Sequence, residues 1–146
     1  MGALILPSAG SVYVEANAVI YAVEKIEPYF SLLTPLWAQA ASGNFAIVTS
    51  ELTWLETLTK PMRDKNVVLE SLFRSFLTAR EVRLIPATLA IWEHAARLRA
   101  HGLKTPDALH AATGLSAGCV SFLTNDSGFL RVPGLPVIIL SAVIAS

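Results

Sequence analysis

Glu15, Glu56, Asp107 and Asp126 lie in four separate segments, VYVEANAVIY, TWLETL, TPDALHAAT and FLTNDSG, each beside an apolar run. Brought to one place, their charges repel and hold protons unless a cation balances them. Carboxylate oxygens select hard ions such as Mg²⁺ or Mn²⁺, which keep part of their water shell and bind phosphate. One such ion suffices to activate a water, and two about 3.5 to 4 Å apart can clamp a phosphodiester displacement. The chemistry on offer is metal-assisted phosphodiester hydrolysis.

Taken singly, each acid has an ordinary explanation. Asp107 near a helix start is favoured by the helix dipole alone, and Asp126 in TNDSG suits a turn. Glu56 can be a surface glutamate on an amphipathic helix. Glu15 is the least ordinary, because an unpaired charge inside VYVEANAVIY is expensive. The case for a site therefore depends on elements that bring all four to one edge.

Short Val-, Ile- and Phe-rich runs at Val12 to Val14, Phe45 to Val48, Val82 to Ile85, Val120 to Leu123 and Val137 to Leu140 read as strands buried on both faces. Helical patterns separate them: Leu69, Leu72, Phe73 and Phe76 form one face and Ile91, Ala95 and Leu98 another, with Glu93 and Arg97 paired on the wet side. Thr105 reads as an N-cap, Pro106 as the first helical residue and Asp107 as part of the first turn. Pro35 is expected to split or kink a helix from Pro28 to Ala41. Alternating strands and helices require crossover connections, so the expected fold is α/β, a three-layer sandwich with a central, mostly parallel five-stranded sheet. Ligands of such sheets sit beyond the carboxyl ends of the strands, where all four acids can meet.

The length of 146 residues fits one domain, 1–146, with residues 1–10 an N-terminal extension. Only 15% of residues are charged, against roughly 25% in typical soluble domains, which points to apolar surface kept for a partner. Eleven basic and eleven acidic residues leave no net charge, so contact with nucleic acid must be local. Cys119 in SAGCVSFL reads as a buried structural thiol. No run reaches the roughly 18 apolar residues of a membrane span, and MGALILPSAG lacks a basic leader start, so a cytoplasmic location is expected.

VYVEANAVIYAVE resembles the opening of PIN-domain ribonucleases, where an acid, a small residue and an asparagine follow the first strand. TSELTWLETL resembles that family's second motif with its glutamate at Glu56, and PDALHAAT followed by FLTND resembles its third and fourth acidic motifs at Asp107 and Asp126. The likeness spans Tyr13 to Leu140 and is greatest to VapC-type toxins of toxin–antitoxin pairs. It implies Mg²⁺- or Mn²⁺-dependent cleavage of RNA, a homodimer and a small antitoxin that covers the site. One position departs: the family's first acid is normally aspartate followed by threonine, whereas this chain has Glu15 and Ala16. The added methylene lengthens the side chain by ~1.5 Å, enough to disturb the strict octahedral geometry of Mg²⁺. A PIN-like domain retaining RNA or antitoxin binding with weakened turnover is therefore the competing reading. A nucleotide-binding α/β domain is disfavoured by the lack of a GxGxxG or GxxxxGK[ST] loop.

Asn17 resembles the family's polar site residue and otherwise reads as a helix cap. Thr124 and Ser50, at strand ends, are candidates to support the acids by hydrogen bonding, or else helix caps. Lys104 and Arg131 flank the third and fourth acids as candidate phosphate contacts, with Arg63, Lys65, Arg80 and Arg83 vaguer ones. His110 reads chiefly as a packing residue; it and the other histidines show no zinc-type spacing. Tyr29, Phe30, Leu33, Trp37 and Trp54 are candidates for a groove taking an antitoxin helix, mixed with core positions.

Overall fold

The alternating apolar runs form five strands, β1 (Ser11–Val14), β2 (Ala46–Ser50), β3 (Val82–Ile85), β4 (Ser121–Thr124) and β5 (Val137–Ile139), in a computed structural model that describes residues 2–146. Every pairing is parallel, so the sheet is wholly rather than mostly parallel, in the order β3-β2-β1-β4-β5. Helices α1 (Ala16–Val23) and α2 (Tyr29–Ala41) connect β1 to β2; α3 (Glu51–Arg63) and α4 (Val67–Leu77) connect β2 to β3. Helices α5 (Leu89–Ala100) and α6 (Thr105–Ala117) lead to β4, a 3₁₀ turn (Ser127–Arg131) leads to β5, and α7 (Leu140–Ala145) follows.

Side chains alternate across each strand, so one run supplies two cores. Val12, Val14, Ile47 and Leu123 face Val19, Leu33, Leu58, Phe73 and Leu140 on one side. Tyr13, Val48 and Phe122 face Ile91, Ala95, Leu109, Ala112 and Phe129 on the other. Each large apolar side chain so buried contributes about 1.5–3 kcal/mol before entropy is counted. Leu4 and Leu6, within the N-terminal extension, also pack against the first core. Among the described residues, no helix is long and apolar enough to cross a membrane.

Helix α6 lies close against the sheet. A Cβ added to Gly114 would stand 2.9 Å from Phe122 Cδ2, and only glycine there lets the helix backbone approach the ring. The helix ends at Gly118, whose φ of 62° is the left-handed conformation glycine adopts without strain. This seating fixes the N-terminal end of α6, and hence Asp107, against the carboxyl edge of the sheet.

Three local expectations are corrected. Helix α2 runs unbroken through Pro35, because buried Leu32, Leu33 and Leu36 pin the turns on both sides to the core. The cap of α6 is Lys104, with Thr105 already helical, although Pro106 does occupy the first turn. The last strand stops at Ile139, and Leu140 opens α7 with its side chain fully buried.

Candidate active site

In this strand order β1 lies between β2 and β4, while its own crossover leads to one side only. The crevice between the carboxyl ends of β1 and β4 is the switch point where ligands of open α/β sheets bind. Glu15 directly follows β1 and its backbone N–H donates to Leu123 O at 3.2 Å, which ties it to β4. The side chain is buried, and Thr124 Oγ1 donates to its Oε2 at 2.6 Å. Thr124 Oγ1 in turn accepts from the backbone N–H of Asp126 at 3.0 Å, so one hydroxyl joins the first acid to the fourth. Burial raises the Glu15 carboxyl above its usual 4.5, with Thr124 opposing and the charges of Glu56 and Asp107 adding to the rise.

Glu56 projects from α3. Its Oε1 lies 2.6 Å from His110 Nε2. His110, 1% exposed, places its other ring nitrogen 2.6 Å from Tyr13 Oη, and that phenol accepts from the backbone N–H of Ser50 at 3.2 Å. Burial pushes the Tyr13 hydroxyl well above its usual range. Residues of β1, α3 and α6 thus share one buried polar chain.

Asp107 stands half-buried in the first turn of α6. Burial raises its carboxyl above 3.8, Asp126 and Glu56 add to the rise, and His110 and Lys104 oppose it. Asp126 is exposed and opens the 3₁₀ turn, its Oδ1 accepting from Gly128 N–H at 2.8 Å. The turn-forming role and a place among the acids coexist there. The four acids thus flank the same sheet edge, where Glu56 and Asp107 bear on Glu15, and Asp126 and Glu56 bear on Asp107. Among the described residues, no three His, Cys, Asp or Glu side chains close on one point as a ready cage. The donors are nevertheless all carboxylates, and Mg²⁺ normally takes one or two of these while keeping several waters.

The sequence model of the PIN domain matches residues 12–135, a span that holds all four acids. This chain belongs to the PIN-domain family. Solved structures with the same fold include VapBC2 of Rickettsia felis bound to a DNA fragment from its promoter, with TM-score 0.71 and 19% identity over 88% of this chain and 98% of that one. A toxin–antitoxin complex of Klebsiella pneumoniae has TM-score 0.63 and 23% identity over 87% and 95% of the two chains. The sarcin–ricin-loop-cleaving toxin VapC20 of Mycobacterium tuberculosis has TM-score 0.66 and 17% identity over 82% and 92%. Among curated proteins, none matches the sequence significantly.

Within this PIN domain the remaining predicted residues separate. Asn17 is half-buried in the first turn of α1 and is not its cap, since Glu15 holds that position. Ser50 caps α3, its Oγ accepting from Leu52 N–H at 3.0 Å, so its hydroxyl is committed to the helix. Lys104 is exposed beside Asp107, and Arg131 is exposed at the end of the turn that Asp126 opens. Arg80 and Arg83 line an open cleft with Gly10 and Asn44 at the opposite, amino end of the strands, away from the acids. Arg63 lies beside Asp64, and Lys65 just after α3.

Leu33 is core, whereas Tyr29 stacks on Tyr21, Trp37 meets Phe76 edge-on and Trp54 lies under the Arg74 guanidinium, so these residues are a mixture of core and covered surface. Open apolar side chains lie elsewhere, among them Leu55, Val67, Val68 and Leu72 on α3 and α4, and Leu89 and Trp92 on α5. Cys119 is buried as expected, its thiol pushed up to about 11 by burial. The link from His110 to Glu56 and Tyr13 was not foreseen. Its faint signal is the three-residue spacing from Asp107, which places both on one face of α6. Glu51 is a further acid at this edge, but its Oε1 accepts from Ala87 N–H at 3.1 Å and fastens the loop before α5.

Proposed function

We propose that this PIN domain is a divalent-metal-dependent endoribonuclease that hydrolyses RNA phosphodiester bonds, and that it is the toxin of a toxin–antitoxin pair. The observation that supports the reading is that Glu15, Glu56, Asp107 and Asp126 all flank the carboxyl ends of the strands, with the Glu15 and Asp107 carboxyls raised by burial first and by acidic neighbours in part. Carboxylates that raise one another's pKa suit a hard cation. These four carboxylates would hold Mg²⁺ or Mn²⁺, which supplies Lewis-acid polarisation of the phosphate and a more acidic water.

The chain's own residues do the positioning. Thr124 holds Glu15 by one hydrogen bond and spaces it from Asp126 by another. The N-terminus of α6 offers its positive dipole end beside Asp107, favouring an incoming phosphate. Lys104 and Arg131, exposed on either flank, contact neighbouring phosphates, and Asn17 in the first turn of α1 orients the attacking water. With no net charge on the chain, these local contacts carry RNA binding. The exposed apolar residues of α3 and α4 suit an antitoxin helix, and Leu89 and Trp92 of α5 suit a second copy.

The test is to incubate the purified protein with RNA and Mn²⁺ or Mg²⁺. Cleavage that EDTA and Asp107→Asn both abolish is expected. Intact RNA under all metal conditions, together with no measurable metal binding, overturns the reading. A second reading, a PIN domain that binds RNA or antitoxin with weak turnover, is favoured by Glu15 standing where the family has aspartate. Glu15→Asp separates the two: a large gain in cleavage marks the present chain as weakened, and no gain marks its glutamate as competent.

A further inference from the structure

We propose that His110 and Tyr13 are positioning residues for Glu56, holding its carboxylate at the acidic edge through a directed hydrogen-bond chain that starts on the backbone. The inference rests on the metal-dependent reading above. The chain starts where Ser50 N–H donates to Tyr13 Oη at 3.2 Å. With that donor on the oxygen, the phenol's own proton is left for His110 Nδ1, 2.6 Å away. The other ring nitrogen, Nε2, then carries the imidazole proton and donates it to Glu56 Oε1 at 2.6 Å. Each link sets the direction of the next, because a neutral imidazole has one donor and one acceptor nitrogen.

The chain is closed at its inner end and open at its outer one. Tyr13 is 0% and His110 1% exposed, while the Glu56 side chain keeps 28% of its surface in contact with solvent. Packing alone does not call for these polar groups. The Tyr13 ring stacks on Phe122 with centroids 4.6 Å apart and planes 5° from parallel, a contact phenylalanine makes equally well. A hydroxyl and an imidazole in such a place are costly unless every polar atom is satisfied.

What the polar groups supply is orientation. A glutamate on a solvent-facing helix turn rotates about several bonds, and His110 fixes one of its oxygens while leaving the second for a ligand. Carboxylates that bind metals are held in this way by partners behind them. Helix α6 also carries Asp107 three residues before His110, so one rigid element presents one acid and clamps another.

The test compares Mn²⁺ affinity, by calorimetry, of the wild-type protein, Tyr13→Phe, His110→Leu and His110→Gln, with folding checked by circular dichroism. Tyr13→Phe and His110→Leu should bind Mn²⁺ about 10- to 100-fold more weakly. His110→Gln, whose amide can still donate to Glu56, should recover part of that loss, whereas RNA binding in EDTA should change less than about twofold in all three. In the metal-free wild type, long-range ¹H–¹⁵N spectra should show the Nε2–H tautomer, a readout that does not depend on any variant folding. Mn²⁺ affinity unchanged in both Tyr13→Phe and His110→Leu, or an Nδ1–H tautomer, overturns the positioning role and leaves the ribonuclease reading standing. A wild-type protein that binds neither Mn²⁺ nor Mg²⁺ and leaves RNA intact overturns that reading and this inference with it.

Discussion

Glu15 and Glu56 are held from within the fold, whereas Asp107 and Asp126 are held at its surface. The glutamates are reached by side chains distant in sequence, Thr124 for the one and His110 for the other. The aspartates stand at the starts of α6 and the 3₁₀ turn, where Asp107 has the helix dipole beside it and Asp126 accepts from Gly128 N–H. Half of the acidic edge is thus held by side chains from distant elements, and the other half stands on its own helix or turn. On the proposed function, side chains locked by buried partners would provide geometry, and the less enclosed ones charge where a cation or phosphate enters.

The comparison breaks most visibly at Asp107, where Asp107→Asn keeps shape and removes charge. Cleavage in Mn²⁺ should fall by ~100-fold or more, at or beyond the upper end of what losing a ligand's supporting partner typically costs. Thr124→Val and Asp126→Asn then sharpen the contrast in urea unfolding at neutral pH. The valine leaves a buried Glu15 oxygen unpaired and should cost about 1–3 kcal/mol. The asparagine still caps the 3₁₀ turn and should change stability by less than ~0.5 kcal/mol. Equal losses in the two variants would erase the distinction between inner and outer acids.

A smaller effect follows from charge alone. The folded carboxyls of Glu15 and Asp107 lie above 4.5 and 3.8, so the folded state binds their protons more tightly than the unfolded state does. Their contribution to stability is greatest below these values and is lost as pH rises through the raised ones. At pH 7 both acids are therefore unfavourable to the metal-free fold, and Asp107→Asn should raise Tm while it abolishes activity. An unchanged or lower Tm at pH 7 would contradict the electrostatic picture. The smallest effects are expected at Lys104 and Arg131: each alanine variant should weaken RNA binding only a few-fold and lower its log–log salt slope by about one.

How far the chain could be read in advance varied with the distance of the partners. Asp107 stood out because PDALHAAT followed by FLTND resembles a family motif, and Glu15 because a charge inside an apolar strand run demands a reason. The two cores followed from strand runs buried on both faces. His110 did not stand out, because its partners Tyr13 and Glu56 lie 97 and 54 residues away in the chain. Pro35 misled for a related reason: its local preference against helix yields to the burial of Leu32, Leu33 and Leu36, which only the packed sheet supplies.

Alone, the sequence determined the α/β alternation, which depends on residue type and short-range periodicity, and it singled out the four acids through their resemblance to the motifs of the PIN family. Strand order was beyond its reach. Parallel strands carry no local mark of their neighbour, and only the assembled sheet puts β1 against β4 and so brings Glu15 beside Thr124 and Asp126. The close approach of α6 over Phe122 was decided in the same way, because it depends on Gly114 meeting a ring from another element. The acids were legible one by one; the hydrogen bonds that turn two of them into fixed groups belong to the tertiary structure.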